Sequence, residues 1–244
     1  MILYANGCSH TAAAEAMVPD CFAVDDGKAG IDRRPHPTNL AASWCSVLSK
    51  ELGFELVCDA ESGGSNDRTI RTTRNWIENN SNKLKDLFVI IQWTTWEREE
   101  WLHNGKWYQV NASGWDWVPR ELQTRYKEFV IDVDWDIKTQ QSHEKIWNFH
   151  QWLDQLDIPH LFYNANSTFS DIAIRQDWPH CLSTSRYNWV TSYIDPYSKD
   201  HSYDAVLKNN GFEYANPKTY HFRADGHCFW AQYLLQYIKS NKLI

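Results

Sequence analysis

The sequence predicts an α/β fold, a parallel sheet held between two layers of helices, and three observations predict it. Leu87-Phe88-Val89-Ile90-Ile91 is an unbroken apolar run, as a strand covered on both faces requires. Short apolar runs alternate along the chain with stretches whose apolar residues recur every three or four positions. Polar, glycine-containing turns fall just after several of the short runs, the end at which parallel sheets carry their chemistry.

The elements follow in order. Residues 1–5 read as a first strand, delivering Asn6-Gly7-Cys8-Ser9-His10-Thr11 into a turn. Residues 18–38 carry Pro19, Gly27, Gly30, Pro35 and Pro37 and read as a long loop. Leu40, Trp44, Val47, Leu48 and Leu52 recur at helical spacing, and Gly53 stands where a C-terminal cap belongs. Residues 54–58 form a second strand, and Glu61-Ser62-Gly63-Gly64-Ser65-Asn66-Asp67 is a loop leading into a helix over 68–79. After the central strand, residues 94–140 are rich in tryptophan and charge without a clear period, and read as an insertion or lid. Ile146, Phe149, Trp152, Leu153 and Leu156 mark an amphipathic helix, and 158–163 a further strand. Residues 165–200 read as loop, 203–210 as a short helix, and 228–241 as the last helix, bearing Trp230, Leu234, Leu235 and Ile238. This alternation implies right-handed crossovers, helices on both faces of a parallel sheet, and one domain over 1–244.

Bulk composition narrows the function. At 244 residues with 43% hydrophobic content the chain is long enough for a substantial core. A net charge of −7 with no compensating basic run argues against nucleic-acid binding. No apolar stretch approaches the roughly 20 residues that span a bilayer, and no Sec-type signal is visible, so a cytoplasmic site of synthesis and no membrane partner are expected. The cysteines at 8, 21, 45, 58, 181 and 228 are scattered, with no CxxC pair, and are expected to be reduced. The histidines lack metal-ligand spacing, so neither a metal nor a cofactor is expected. The 14 tryptophans admit two readings: an aromatic-rich core, or aromatic faces that stack on sugar rings.

Nucleophilic catalysis needs a hydroxyl, a base within hydrogen-bond reach and a group that orients the base. Ser9, His227 and Asp225 supply these if the Arg223-Ala224-Asp225-Gly226-His227 stretch, placed just before the last helix, folds back to the first strand. The backbone N–H groups of Ser9 and Gly63 are the donors for a developing oxyanion. Each residue has a competing role: Ser9 and Asp225 as helix caps, His227 bonded to a backbone carbonyl, Gly63-Gly64 as an ordinary turn. Cys8 competes as nucleophile, because adjacent residues leaving a strand point to opposite sides. Arg98, in the charged turn 97–100, is a candidate to hold a ligand carboxylate or to pair with a buried acid.

Three blocks in chain order resemble those of the SGNH (GDSL-like) hydrolases. Gly7-Cys8-Ser9-His10-Thr11 is similar to the first, which carries the nucleophilic serine. Ser62-Gly63-Gly64-Ser65-Asn66 is similar to the second, whose glycine N–H lines the oxyanion hole, and Asp225-Gly226-His227 to the last, which carries acid and base. The resemblance spans nearly the whole chain and implies a flavodoxin-like sandwich and a serine esterase with Ser9, His227 and Asp225 as triad. The expected substrate class is a small-molecule or glycan ester, and the abundant tryptophans around 93–117 make an O-acetyl group on a carbohydrate the specific expectation. The chain departs from the pattern at three places. The third-block asparagine is missing from Gln92-Trp93-Thr94-Thr95, which leaves Asn66, Gln92 or a threonine hydroxyl to replace it. Asp225 stands two residues before His227, not three, a spacing that resembles phage or bacterial variants, and Cys8 replaces the usual acid beside the serine. The alternative these departures raise is a glycan- or protein-binding module of the same fold without turnover, virion-associated in that case. Oligomeric state is left open.

Overall fold

The computed structural model describes residues 1–24, 33–112, 114, 118–170 and 188–244. The strands are β1 (Ile2–Asn6), β2 (Glu55–Cys58), β3 (Leu87–Trp93), the hairpin β4 (Glu99–His103) and β5 (Lys106–Val110), β6 (His160–Asn164), and the short pair β7 (Tyr214–Asn216) and β8 (His221–Phe222). The helices are α1 (Pro37–Ala41), α2 (Trp44–Leu52), α3 (Asn66–Asn79), α4 (Gln123–Ile131), α5 (Trp135–Gln155), α6 (Trp189–Ser192), α7 (Tyr203–Asn209) and α8 (Ala224–Asn241).

Four parallel strands form the central sheet in the order β2-β1-β3-β6. Strand residues alternate between its two faces, as the two-residue period of a strand demands. Leu3 and Ala5 of β1, with Phe88 and Ile90 of β3, join Trp44 and Leu48 of α2, Tyr203 and Leu207 of α7, and Trp230 and Leu234 of α8. Ile2 and Tyr4, with Val89, Ile91 and Trp93, join Ile77 of α3, Phe149 and Leu153 of α5, and Trp189 of α6. The result is the expected three-layer α/β/α sandwich with one apolar core on each side of the sheet.

Local chemistry explains most element boundaries. Ser43 caps α2 by accepting from the Ser46 N–H, and Gly53 ends it in the left-handed conformation at φ 68°. Ser65 caps α3 by accepting from the Arg68 N–H, which starts that helix at Asn66. The helical spacing expected from Leu40 is broken at Ser43, with Leu40 in α1 and Trp44 opening α2, and two further starts lie well away from expectation. Asp134 accepts from the N–H groups of Asp136 and Ile137, so α5 begins at Trp135, well before the amphipathic stretch, with Trp135 and Ile137 exposed. Helix α8 begins at Ala224, not Cys228, with Asp225 in its first turn, where a carboxylate is favoured by the helix dipole. Asp225 and His227 therefore sit on the helix instead of on a loop before it.

Residues 94–140 hold the β4–β5 hairpin and α4, gathered on a small core of Trp101, Val110, Val118 and Tyr126. Trp44, Trp93 and Trp230 are fully buried, and Trp96, Trp101 and Trp189 nearly so. These tryptophans serve the core and not a sugar-facing surface; Trp115, Trp117 and Trp178 lie outside the described residues. Parts of the expected loops at 18–38 and 165–200, namely 25–32 and 171–187, also lie outside them. Among the described residues no helix is long and apolar enough to cross a membrane.

Candidate active site

In this strand order the connections leave β1 and β3 in opposite directions across the sheet. The crevice between the carboxyl ends of these two strands is where such sheets bind ligands. Ser9 follows β1 and Thr94 follows β3, so both stand at that crevice.

The turn carrying Ser9 is built by its neighbours. A Cβ on Gly7 would lie 2.7 Å from Thr11 Oγ1 and 2.9 Å from the Gln92 carbonyl oxygen, so only glycine fits. The N–H groups of Thr11 and Ala12 both donate to the Cys8 carbonyl at 3.0 Å, and Ala14 N–H to Ser9 O at 3.0 Å. Residues 9–14 form turns, not a helix for Ser9 to cap. Gln92, fully buried at the end of β3, supports the turn from below: its Oε1 accepts from Cys8 N–H at 3.3 Å and Thr11 Oγ1 at 3.0 Å, and its Nε2 donates to Trp93 O at 3.2 Å. Cys8 Sγ contacts both Gln92 side-chain heteroatoms, at 3.3 and 3.4 Å, and is sealed. Ser9, the more accessible of the two, directs its hydroxyl at Cys8 Sγ at 3.9 Å. Burial works to raise the Cys8 thiol, but the Arg98 guanidinium and surrounding hydrogen bonds hold it below its ordinary value.

The loop after β2 is bonded directly to this turn. Glu61 N–H donates to Gly7 O at 3.2 Å, and Gly64 N–H to Glu61 O at 2.9 Å. Gly63 takes φ 84°, a conformation that favours glycine. The buried Glu61 carboxylate faces Arg68 Nε at 2.6 Å and Arg33 Nε at 3.5 Å, which anchors the loop electrostatically. Asn66 clasps the end of β3: its Nδ2 donates to Thr94 O at 3.1 Å, and its Oδ1 accepts from Thr94 N–H at 2.8 Å. Gln109 of β5 overhangs Gly63, its Oε1 3.1 Å from where a Cβ would lie, and its buried Nε2 lacks a hydrogen-bond partner among the described residues. The loops after β1, β2 and β3 are thus one hydrogen-bonded unit.

A cluster of imidazoles adjoins this unit. The Tyr203 ring lies 5.3 Å from the His10 ring and 6.0 Å from the His227 ring, and His10 meets His221 edge-on at 5.5 Å. Burial first, then His221, Arg98 and His227, press His10 well below the usual imidazole range. Burial, with the neighbouring His221, pushes His227 down to about 3. Its Nδ1 lies 3.5 Å from the Tyr203 hydroxyl.

Asp225 is not brought to His227. Residues two apart on a helix point to different sides, and the exposed Asp225 carboxylate accepts from the Gly226 N–H at 2.9 Å. The carboxylate that meets an imidazole of this cluster is Glu15, whose Oε2 lies 2.6 Å from His221 Nδ1. Glu15 also accepts from Thr219 Oγ1, and from Asn216 Nδ2 at 3.4 Å. Burial works to raise its carboxyl, but the bonds from Thr219 and His221 hold it below the ordinary range. Sequence reasoning missed this pair because its members stand 206 positions apart. The one available signal was an acid set within the otherwise apolar Ala12-Ala13-Ala14-Glu15-Ala16. Arg98, half-buried, donates to Thr94 Oγ1 at 3.2 Å.

No protein-family model matches the chain, and no curated protein matches its sequence. Among solved structures it is similar to a carbohydrate esterase described as having divergent catalytic and non-catalytic binding functions, with a TM-score of 0.47 and 14% identity. That alignment covers 98% of this chain and 64% of the other, so this chain spans under two thirds of that protein's length. It is also similar to a mutant acetyl-xylooligosaccharide esterase from Geobacillus, with a TM-score of 0.45 and 12% identity over 97% of this chain and 93% of the other.

Proposed function

We propose that the chain is a serine esterase of the SGNH type that hydrolyses a carboxylic ester with Ser9 as nucleophile. One observation carries this reading: three loops distant in sequence are hydrogen-bonded together at the β1/β3 crevice, with Ser9 on the first of them and an imidazole cluster beside it. Such convergence supplies the hydroxyl, the base and the donors that acyl transfer requires.

In the proposed reaction an imidazole takes the Ser9 proton as Oγ attacks the ester carbonyl. The carbonyl π pair moves onto oxygen, and the N–H groups of Ser9 and Gly63 receive it, joined by the second Nδ2 hydrogen of Asn66. Collapse breaks the bond to the alcohol, which leaves with the proton held by the imidazole. Water then repeats the sequence on the acyl-serine, releasing a carboxylic acid and restoring Ser9. The acyl carrier we propose is an O-acetylated carbohydrate. Trp107, half-buried and on the same hairpin face as Gln109, is the aromatic surface that supports this choice.

The test is hydrolysis of p-nitrophenyl acetate by wild type and by Ser9→Ala, with folding followed by circular dichroism and acetate release from O-acetylated oligosaccharides measured in parallel. Loss of turnover in a folded Ser9→Ala is expected; equal rates in both would remove Ser9 from the reaction. A second reading, a binding module without turnover, is favoured by the Ser9 hydroxyl meeting Cys8 Sγ and not an imidazole.

A further inference from the structure

We infer that Glu15 and His221, not Asp225 and His227, form the acid–base pair that serves Ser9, with His221 as the proton acceptor and Glu15 as its positioning residue. This inference rests on the esterase reading.

The geometry is that of an oriented base. The Glu15 carboxylate occupies His221 Nδ1 at 2.6 Å, which fixes the tautomer and leaves Nε2 as the nitrogen that accepts a proton. Among the described residues the hydrogen bond of the His221 ring is the one from Nδ1 to Glu15, and none engages Nε2. The carboxylate is itself held, by the Thr219 hydroxyl and the Asn216 amide, so the pair is anchored at both ends. Among the described residues His227 has no such partner: its Nδ1 faces a phenol at the long distance of 3.5 Å, while Asp225 is exposed to solvent.

Backbone strain gathers at the same place. Ala13 at φ 52°, Glu15 at φ 62° and Tyr220 at φ 60° are non-glycine residues in the left-handed region, and they flank the pair on both of its segments. Such conformations persist where surrounding structure holds them, and they cluster at functional sites. The pair also lies beside the nucleophile's turn. His10, adjacent to Ser9 in the chain, packs against the His221 ring, and the Arg98 guanidinium acts electrostatically on both Cys8 and His221.

The groups facing His221 are Glu15, Arg98, His10 and His227. Burial lowers His221 first, Arg98 adds to that, and Glu15 opposes both through its hydrogen bond and its charge. For His227 nothing opposes burial, so it is the weaker base at neutral pH. The pair thus passes the Ser9 proton to Nε2 on attack and returns it to the leaving alcohol, with Glu15 remaining ionised throughout.

The experiment measures kcat/KM against pH for p-nitrophenyl acetate with the full chain, comparing wild type, Ser9→Ala, His221→Gln, Glu15→Gln, Glu15→Asp and His227→Gln. Labelling of Ser9 by a fluorophosphonate is read in parallel by mass. His221→Gln is expected to fall by about 100-fold or more, the usual worth of a general base, and further than His227→Gln. Glu15→Gln removes the group that raises His221, so the acid limb of its profile moves to lower pH, and Glu15→Asp recovers part of the loss. A merely structural tie would lower activity without moving that limb. If His221→Gln does not fold, the shift in Glu15→Gln decides. A folded His221→Gln that keeps turnover while His227→Gln loses it overturns the pair but leaves Ser9 as nucleophile. A wild type with neither turnover nor labelling overturns the esterase reading and the pair with it.

Discussion

Acidifying the protein from about pH 7.5 to about pH 5.5 should remove much of its stability, because its buried histidines are held neutral, His10 among them, and four others, His143, His150, His160 and His227, set the size of the effect. Burial pushes His143 and His150 down to about 3, with His160 adding to the effect on His150, and pushes His160 down to about 4. His227 is pushed down to about 3 by burial and by His221. His150 Nδ1 and His160 Nε2 stand 2.7 Å apart, so one ring donates to the other's lone pair and a proton between them leaves no room for a second. In the unfolded chain the same imidazoles titrate near 6.5. Their folded values lie below that, so the unfolded chain binds protons the folded one refuses. The stabilisation is therefore complete above about pH 6.5 and is lost as pH falls toward the folded values. At about pH 5.5 each group, with an unfolded pKa about one unit above the solution pH, costs about 1.4 kcal/mol, and the four together cost about 5–6 kcal/mol. A domain of this kind has roughly 5–15 kcal/mol in total, so the loss is a large share of it. Glu15, held below its ordinary value, adds its own loss only under about pH 4.5 and leaves this window unaffected. Urea unfolding followed by tryptophan fluorescence at about pH 7.5, 6.5 and 5.5 measures the effect, with the slope in urea expected to stay constant. An extrapolated stability that changes by less than about 1 kcal/mol across that range would refute the linkage argument, since even one such histidine costs more.

Three further outcomes follow from the packing around the site. Gln92→Leu keeps the volume but strands the buried Cys8 N–H and the Thr11 hydroxyl, so unfolding stability should drop by about 2–4 kcal/mol and turnover should fall with it. A drop under about 1 kcal/mol in a urea titration would mean that the turn does not depend on Gln92. Glu61→Gln takes the charge from between Arg33 and Arg68 and should cost about 3–5 kcal/mol, read as a lower Tm; an unchanged Tm would show that the ion pairs contribute nothing net. Leu234→Ala empties a fully buried position between α8 and the sheet and should cost about 2–5 kcal/mol by denaturant unfolding, with the secondary structure seen by circular dichroism unchanged.

The four strands of the central sheet and the helices α2, α3, α5, α7 and α8 were legible because their signals are local, whereas the hairpin β4–β5 and the pair β7–β8 were not read. Leu87–Ile91 is covered on both faces and looks so in sequence, and Gly53 ends α2 through its own left-handed backbone. The starts of α5 and α8 were less legible, because Asp134 and Asp225 act through backbone hydrogen bonds and the helix dipole, not through an apolar period. Residues 94–140 showed no clear period because they pack on a satellite core of their own that covers only part of each element.

The site divides along the same line. By itself the sequence determined that Ser9 follows the first strand, that a glycine loop follows the second, and that the order of elements brings both to one edge of the sheet. Only the tertiary structure decided what each side chain meets there: Gln92 beneath the turn, Asn66 on the Thr94 peptide, Gln109 over Gly63, and Glu15 on His221. Residue type and spacing encode the path of the backbone, which neighbouring residues decide together. A contact between residues 206 positions apart depends on the packing of every element between them, and no local pattern carries it.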